Sequence, residues 1–362
     1  MKSINNFSNK FFEKSKHSEI AGAYLESLFQ TEGRFSLESV SDQNDKISYE
    51  QVHHFISDSE SWNEERLNNE RLQFLNKHKF TQTQANGILV IDDTQTIKNG
   101  QATEGVYYQH CGSTGRQENC LSFVTSHYTD EHKNFPYKAS TYYPHEETKI
   151  DLACHLIDDF FANDLQAMFV AFDCWYFTKQ IVRKVESQDK LFVSKPKLNR
   201  IIFHQGKRLD ARSLVTASST SDVYFDEKVV FKGLGQYRLI IFKGEAFVTN
   251  DFDSSQEKII SVYRQRWSID ESYRAMKDKL NLDSFQVRKP VSILRHIYLV
   301  FLAYTFYLWA KTTHIFYRIY QGTILKLSDL CKVIRNLNIY RKTKMKINDL
   351  LASLKLKPNL QV

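Results

Sequence analysis

The chain has 362 residues, of which 49 are Lys or Arg and 42 are Asp or Glu, so its formal net charge is +7. Apolar residues make up 42% and aromatic residues 14%, which excludes general disorder and predicts about two domains with buried cores. Five cysteines without a Cys-x-x-Cys motif argue against a disulfide framework or a cysteine-rich zinc site. No signal-peptide core is visible, and the longest apolar run, Ile297–Ala310, is too short and polar for a membrane span. We therefore expect a soluble, cytoplasmic protein.

The first 85 or so residues have a helical pattern. Ser48 and Gln51 match a capping box ahead of the apolar residues Val52, Phe55 and Ile56. This region is either a small DNA-binding bundle or a packing subdomain, and the pattern of residues does not decide between them.

From Gly87 onward the pattern becomes mixed α/β. The run Ile88–Ile91 is short and continuously apolar, as expected of a buried central strand, and it ends at Asp92 and Asp93. A second buried strand, Ala167–Phe172, ends at Asp173. Ligand sites in open α/β sheets tend to lie at such strand ends. The other elements predicted here are strands at Gly105–His110, Leu121–Tyr128 and Lys190–Ser194, and helices at Ile150–Ala162 and Tyr176–Val185.

Residues 196–252 are predicted to form a β-rich insertion into this α/β region. Short apolar segments alternate there with turn residues such as Gly233 and Gly235. The predicted strands are Ile201–Phe203, Val223–Phe225, Val229–Phe231, Arg238–Phe242 and Ala246–Thr249.

One long helix is predicted over Gln256–Leu280, which contains neither Gly nor Pro. At 100° per residue, four polar side chains of this helix fall within about 60° of one face, beside an apolar stripe. They are Tyr263, Arg266, Asp270 and Lys277. An ordinary solvent-exposed face with an i,i+4 ion pair would give the same pattern, so the helix alone does not identify a site.

Two aspartates at strand ends together with a helical carboxylate form the ligand set of two-metal phosphoryl transfer. Carboxylate oxygens suit Mg²⁺ or Mn²⁺, and two such ions can activate a nucleophile and stabilise the leaving oxygen. A neighbouring cationic face would hold phosphates.

These residues resemble bacterial insertion-sequence transposases of the DDE type, in the group marked by a Tyr-x2-Arg-x3-Glu-x6-Lys signature. The signature is matched by Tyr263, Arg266, Asp270 and Lys277. The segment Ile91–Thr94 resembles the family's first catalytic Asp, which directly precedes a Thr, and Ala171–Tyr176 resembles its second. The resemblance covers roughly residues 20–310.

The resemblance implies an RNase H-like mixed-sheet core with a β-rich insertion. It implies that Asp93, Asp173 and Asp270 hold two Mg²⁺ (or Mn²⁺) ions and that the protein cuts and joins DNA at terminal inverted repeats. Tyr263, Arg266 and Lys277 would grip the phosphates of the transposon ends. Trp267 would stack on a base, although a buried structural role is an equal alternative. The implied partners are double-stranded DNA, at the transposon ends and target, and a second copy of the chain.

The chain departs from the signature at one position, where Asp270 stands in place of Glu. The side chain is one methylene shorter, so the helix would have to approach the metals more closely. Glu271 is an alternative third acid, although it lies off the polar face. Two other functions stay open: a catalytically impaired or domesticated DNA-binding derivative, and a two-metal nuclease of the same fold.

The expected organisation has five parts: helical residues 1–85, first core part 86–195, β-rich insertion 196–252, second core part 253–310, and a basic region 311–362. The last part carries 11 Lys or Arg against two Asp. A basic end on a near-neutral body indicates a polyanion partner, and we expect this region to contact the DNA backbone.

Overall fold

The computed structural model describes residues 2–44, 46–58, 60–100, 102–219, 225–313 and 326–355. The chain divides into two compact units. The helical unit combines Met1–Arg71 with Ala275–Val362, and the α/β unit is the continuous segment Leu72–Arg274. The helices are α1 (Lys2–Ser8), α2 (Ser15–Gln30), α3 (Leu37–Ser41), α4 (Tyr49–Ser57), α5 (Glu64–Lys77), α6 (Lys149–Ala162), α7 (Lys179–Ser187), α8 (Ala211–Ser219), α9 (Gln256–Gln265), α10 (Trp267–Leu280), α11 (Pro290–Thr313) and α12 (Leu327–Lys355).

Eleven strands within the described residues form one mixed sheet in the α/β unit. They are β1 (Ile88–Ile97), β2 (Tyr107–Cys111), β3 (Arg116–Thr129), β4 (Asn134–Tyr142), β5 (Phe169–Phe172), β6 (Leu191–Ser194), β7 (Ile201–His204), β8 (Lys207–Asp210), β9 (Phe225–Phe231), β10 (Gly235–Phe242) and β11 (Glu245–Thr249).

The core of this sheet has the strand order β4-β3-β1-β5-β6. Strands β1, β5 and β6 are parallel to one another, and β3 is antiparallel to both β1 and β4. Helix α6 connects β4 to β5, and α7 connects β5 to β6. This arrangement confirms the predicted α/β class and is that of an RNase H-like core.

The β-rich insertion continues the same sheet. Strand β11 pairs antiparallel with β6, and β10, β9, β7 and β8 follow outward. Most of the predicted strand Val223–Phe225 lies outside the described residues. Helix α8, between β8 and β9, was not among the predicted elements.

The prediction of one helix over Gln256–Leu280 is wrong at Arg266, where α9 ends and α10 begins. The N–H of Arg266 donates to the carbonyl of Tyr263 at 3.0 Å, and the N–H of Ile269 donates to the carbonyl of Arg266 at 3.1 Å. These i→i+3 bonds form a tight turn of the 3₁₀ kind. Arg266 keeps helical torsions, with φ −51° and ψ −35°, so the chain continues in nearly the same direction.

The helical unit is built around α11, whose side chains are almost all buried. By length and composition α11 could cross a membrane, but 89% of its apolar window is buried in the structure. The capping box at α4 is confirmed, because the N–H of Gln51 donates to Ser48 Oγ at 3.3 Å and the N–H of Ser48 donates to Gln51 Oε1 at 3.2 Å. Of the basic region, residues 341–349 of α12 are exposed, while 314–325 and 356–362 lie outside the described residues.

Candidate active site

The register between β1 and β5 places Asp92 beside Asp173. The two parallel strands pair from Ile88 with Phe169 to Ile91 with Phe172, and the aspartates are the next residue on each chain. Successive residues of a strand point to opposite faces, and paired residues of parallel strands share a face. Asp92 therefore lies on the face of Asp173, and Asp93 points the other way.

Asp93 faces the start of α6. Its Oδ2 accepts a hydrogen bond from Lys149 Nζ at 2.7 Å, and both side chains are largely buried. The ammonium group of Lys149 also lies 5.4 Å from the centre of the Tyr142 ring and 5.9 Å from that of Trp175. Asp93 is thus held by a fixed counter-ion in an aromatic setting.

Arg266 joins Asp92 to the helical acid. Its Nη1 lies 2.5 Å from Asp92 Oδ2, and its Nη2 lies 3.7 Å from Asp270 Oδ2. The tight turn at the junction of α9 and α10 thus points the guanidinium at the carboxyl end of β1. One cation therefore serves as counter-ion to two of the candidate carboxylates.

Burial raises the pKa of Asp92 to about 7, with Asp173 and Asp93 adding to the rise and Arg266 opposing it. The pKa of Asp270 is also raised by burial, opposed by Arg266 and Arg274, and raised further by Asp173. Asp173 therefore acts electrostatically on both Asp92 and Asp270. Three acidic groups share one partly buried region with more negative charge than Arg266 alone offsets, which favours binding of further cations.

The donor chemistry of this region fits hard divalent ions. The described residues contain no group of three or more His, Cys, Asp or Glu close enough to hold one ion, so the carboxylates are not assembled as a closed site. Asp173 uses Oδ1 to accept the N–H groups of Trp175 at 2.9 Å and Tyr176 at 3.2 Å, while Oδ2 has no partner among the described residues. The buried hydroxyl of Tyr176 likewise has no hydrogen-bond partner among the described residues. A hydrated cation would satisfy the free oxygen of Asp173.

The remaining candidate residues have different surroundings. Tyr263 is buried, its ring centroid 5.4 Å from that of Phe247, and burial raises its pKa. Trp267 is 51% exposed beneath the guanidinium of Arg274, so the buried alternative for this residue does not hold. Glu271 is exposed. Lys277 is on α10 but belongs to the helical unit, so its part in the site stays a prediction.

Two side chains near the carboxylates were not predicted from the sequence. Lys149 is the first residue of α6 and is 56 positions from Asp93, and no motif connects the two. Tyr176 is buried within electrostatic reach of Asp93, Asp92 and Asp173, whose charges add to the effect of burial in raising its pKa. Its position three residues after Asp173, in the turn that closes on that carboxylate, was the available signal.

Comparison with known protein families identifies the chain. A model described as the transposase DDE domain matches residues 85–306, which is more than half of the chain. The chain belongs to the DDE transposase domain family. A second model, described as a DDE superfamily endonuclease, matches residues 6–151. Use of divalent metal ions is general in this family.

One curated relative is the probable transposase for insertion sequence element IS5377 from Geobacillus stearothermophilus. It is 28% identical over 142 residues, which span 37% of each protein. Among solved structures, the Drosophila P element transposase strand transfer complex matches 89% of this chain and 64% of its own at 8% identity. Its TM-score of 0.28 is too low to bear on the fold.

Proposed function

We propose that this protein is a DNA transposase of an insertion sequence, which cuts and joins DNA at terminal inverted repeats with bound Mg²⁺ or Mn²⁺. The observation that carries the proposal is that Asp92 and Asp173 follow two paired parallel strands, while Arg266 forms ion pairs with both Asp92 and Asp270. Family membership supports the same chemistry. Such a protein acts on cellular DNA, as expected of a cytoplasmic bacterial enzyme.

The resemblance to the family motif favours Asp93 as the metal ligand at the end of β1. The geometry of the site supports Asp92 instead. Its support is the strand register, which gives it the face of Asp173, and the contact of Arg266, which relates it to Asp270. Asp93 is neutralised by Lys149 instead. We therefore assign metal binding to Asp92, Asp173 and Asp270, and a positioning role at the start of α6 to Asp93.

In the proposed reaction, water attacks a phosphodiester at the transposon end, the new P–O bond forms in line, and the P–O3′ bond breaks to leave a 3′-hydroxyl. That hydroxyl later attacks a phosphodiester of the target in the same way. Bound divalent ions supply activation of the attacking oxygen and stabilisation of the leaving one. Before substrate binds, Arg266 would offset the repulsion between the negative charges of Asp92 and Asp270. It would then donate hydrogen bonds to a phosphate oxygen of the DNA.

Contacts with the DNA would be made by other side chains of the protein. Trp267, which is 51% exposed, would stack on a base, a contact worth about 1–3 kcal/mol per base in other proteins. Lys277 and the exposed cations of α12 would contact phosphates. Buried Tyr263 would position Arg266, whose guanidinium lies 5.8 Å from its ring centre, rather than grip DNA directly. Pairing of two ends would require a second copy of the chain.

The deciding experiment is cleavage of a duplex carrying one element end and flanking DNA, with Mg²⁺, by wild type, Asp92→Asn, Asp93→Asn and Asp173→Asn. We expect Asp92→Asn and Asp173→Asn to abolish cleavage while keeping the fold, measured by circular dichroism. Asp93→Asn should lower activity by about 10–100-fold without abolishing it, the usual loss when a group that positions metal ligands is removed. Full activity of Asp173→Asn would overturn the proposal, and an inactive Asp93→Asn beside an active Asp92→Asn would return the role to Asp93.

Two related functions are separated by one further assay. A two-metal nuclease would hydrolyse the same substrate but would not join a precut end to a target, so strand transfer by precut ends supports the transposase. An impaired, DNA-binding derivative is suggested by the shorter acid at Asp270. It would bind the ends and neither cut nor join them.

A further inference from the structure

A cavity of about 730 Å³ is lined by residues of the helical unit. Its walls come from the segment between α2 and α4, from α4 itself, and from the segment that leads into α11. Six of its lining side chains matter here: Arg34, Glu38, Tyr49, His53, Arg288 and Lys289. We call this cavity the basic cleft.

The cations of the basic cleft are not neutralised by the protein. Arg34, Arg288 and Lys289 are exposed, and none of them forms a salt bridge with any described residue. Glu38 is the single acid of the lining. Arg66 of the same unit, by contrast, is paired with Glu13. Three convergent cations against one carboxylate leave a net positive cavity that favours an anionic ligand.

The walls of the basic cleft are fastened to one another. The side-chain amide of Asn281 donates to the carbonyl of Thr31 at 3.1 Å, and Ser284 Oγ donates to the carbonyl of Gly33 at 3.4 Å. Arg34 itself donates to Gln286 Oε1 across the opening. The cleft therefore exists without a ligand, and binding would not have to pay for its ordering.

The form of the lining indicates a chain of phosphates. Pockets for small molecules are mostly apolar, whereas this one is lined by charged, hydroxyl and amide groups. Its volume exceeds the needs of one phosphate, and separate cations on two walls can each meet a different phosphate of one strand. Tyr49 is 42% exposed and lies 5.9 Å from the His53 ring, so an aromatic face is available to a sugar.

Resting on the proposed function, we propose that the basic cleft binds the phosphodiester backbone of duplex DNA. Arg34 and Arg288 would make bidentate contacts with phosphate oxygens, and Lys289 would act as a point charge. Phosphate contacts position a protein on DNA without reading sequence. The cleft would thus add affinity for element ends without determining which sequence is recognised.

The test uses the full-length protein and a fluorescent duplex of one element end in EDTA, so that cleavage does not interfere. The variant is Arg34→Gln/Arg288→Gln/Lys289→Gln. The matched control is Lys10→Gln/Lys14→Gln/Lys16→Gln, which removes three exposed cations from the same unit. Affinity is measured over a range of salt concentrations, and folding is checked by thermal melting.

We expect the cleft variant to bind at least about tenfold more weakly and its salt slope to fall by about 2–3, roughly one for each lost phosphate contact. The control should bind like wild type. Unchanged affinity and slope in the cleft variant would overturn the inference while leaving the proposed function intact, and so would equal weakening by the control. A wild-type protein that does not bind DNA would overturn both.

Discussion

Arg266 Nη1 lies 2.5 Å from Asp92 Oδ2, and the two residues are 174 positions apart in the chain. The same guanidinium reaches Asp270 at 3.7 Å. A side chain at a break between two helices therefore connects an acid at the end of β1 with an acid on α10. Such buried ion pairs define geometry more than they add stability, because desolvation offsets much of the attraction.

Replacing Arg266 should impair cleavage more than folding. We expect Arg266→Gln to slow cleavage of an end duplex by about 10²-fold, the usual scale for losing one preorganised charged or polar donor. Arg264→Gln is the control, since Arg264 is an exposed cation on α9, two residues before Arg266. Single-turnover cleavage rates measure both, and a fully active Arg266→Gln variant would contradict a direct role for this side chain.

The length of the acid at position 270 is open to a direct test. Asp270→Glu restores the methylene that the signature carries and would extend the carboxylate toward Asp173. We expect faster cleavage at limiting Mg²⁺, by about severalfold to tenfold, or up to about 1.4 kcal/mol. Glu271→Gln should leave the rate unchanged, because Glu271 is exposed. If Glu271→Gln were inactive and Asp270→Asn active, Glu271 would be the third acid.

Asp130 should give the α/β unit a pH-dependent stability. Burial pushes the pKa of Asp130 up, but hydrogen bonds from Lys133, the N–H of His132 and the hydroxyl of Tyr128 outweigh it, so the pKa lies below its usual 3.8. A carboxyl group whose pKa is lower in the folded than in the unfolded protein stabilises the fold at pH values above its unfolded pKa. This stabilisation is lost as the pH falls through the folded pKa.

We therefore expect Asp130→Asn to lower the free energy of unfolding by about 1.5–3 kcal/mol at pH 7, the range for hydrogen bonds to charged groups. The deficit should shrink as the pH is lowered through 3.8. Urea titrations at several pH values measure it, with the exposed neighbour Glu131→Gln as control. A deficit that is the same at pH 7 and pH 3 would mean that the carboxylate charge is not responsible.

Arg295 should be the most sensitive polar position of the helical unit. It is fully buried, donates to the carbonyls of Asp58 and Trp62, lies 3.5 Å from Glu64, and stacks on the Trp62 ring at 4.6 Å. Arg295→Met would leave Glu64 and the carbonyls without their cation, which costs about 3–5 kcal/mol. Denaturant unfolding measures the loss. Arg66→Met, which breaks an exposed pair, should change stability little.

Most core elements could be predicted from the sequence because their patterns are strong. The apolar run before Asp92 and the one before Asp173 are both central parallel strands, as expected of segments buried on both faces. Strand β4 was missed because it contains Pro136, which argues against a strand. Pro136 is tolerated because β4 lies at the sheet edge and pairs with His127 where the register shifts.

The site was harder to predict because it depends on register. A one-residue difference moves a side chain to the other face of a strand, so adjacent Asp92 and Asp93 cannot be told apart without the pairing of β1 with β5. The helix break at Arg266 could not be predicted because no Gly or Pro lies between Gln256 and Leu280. The ion pair of Lys149 with Asp93 joins distant segments that share no local pattern.

The helical unit is assembled from the two ends of the chain, with the α/β unit as a continuous segment between them. During synthesis, α2 and α4 emerge long before α11, and Tyr24 cannot form its 2.8 Å hydrogen bond to His296 until nearly 300 residues have been made. Domains generally fold as units as they leave the ribosome. The α/β unit, which ends at Arg274, can therefore form on the nascent chain before Arg288 and Lys289, which complete the basic cleft, have left the ribosome.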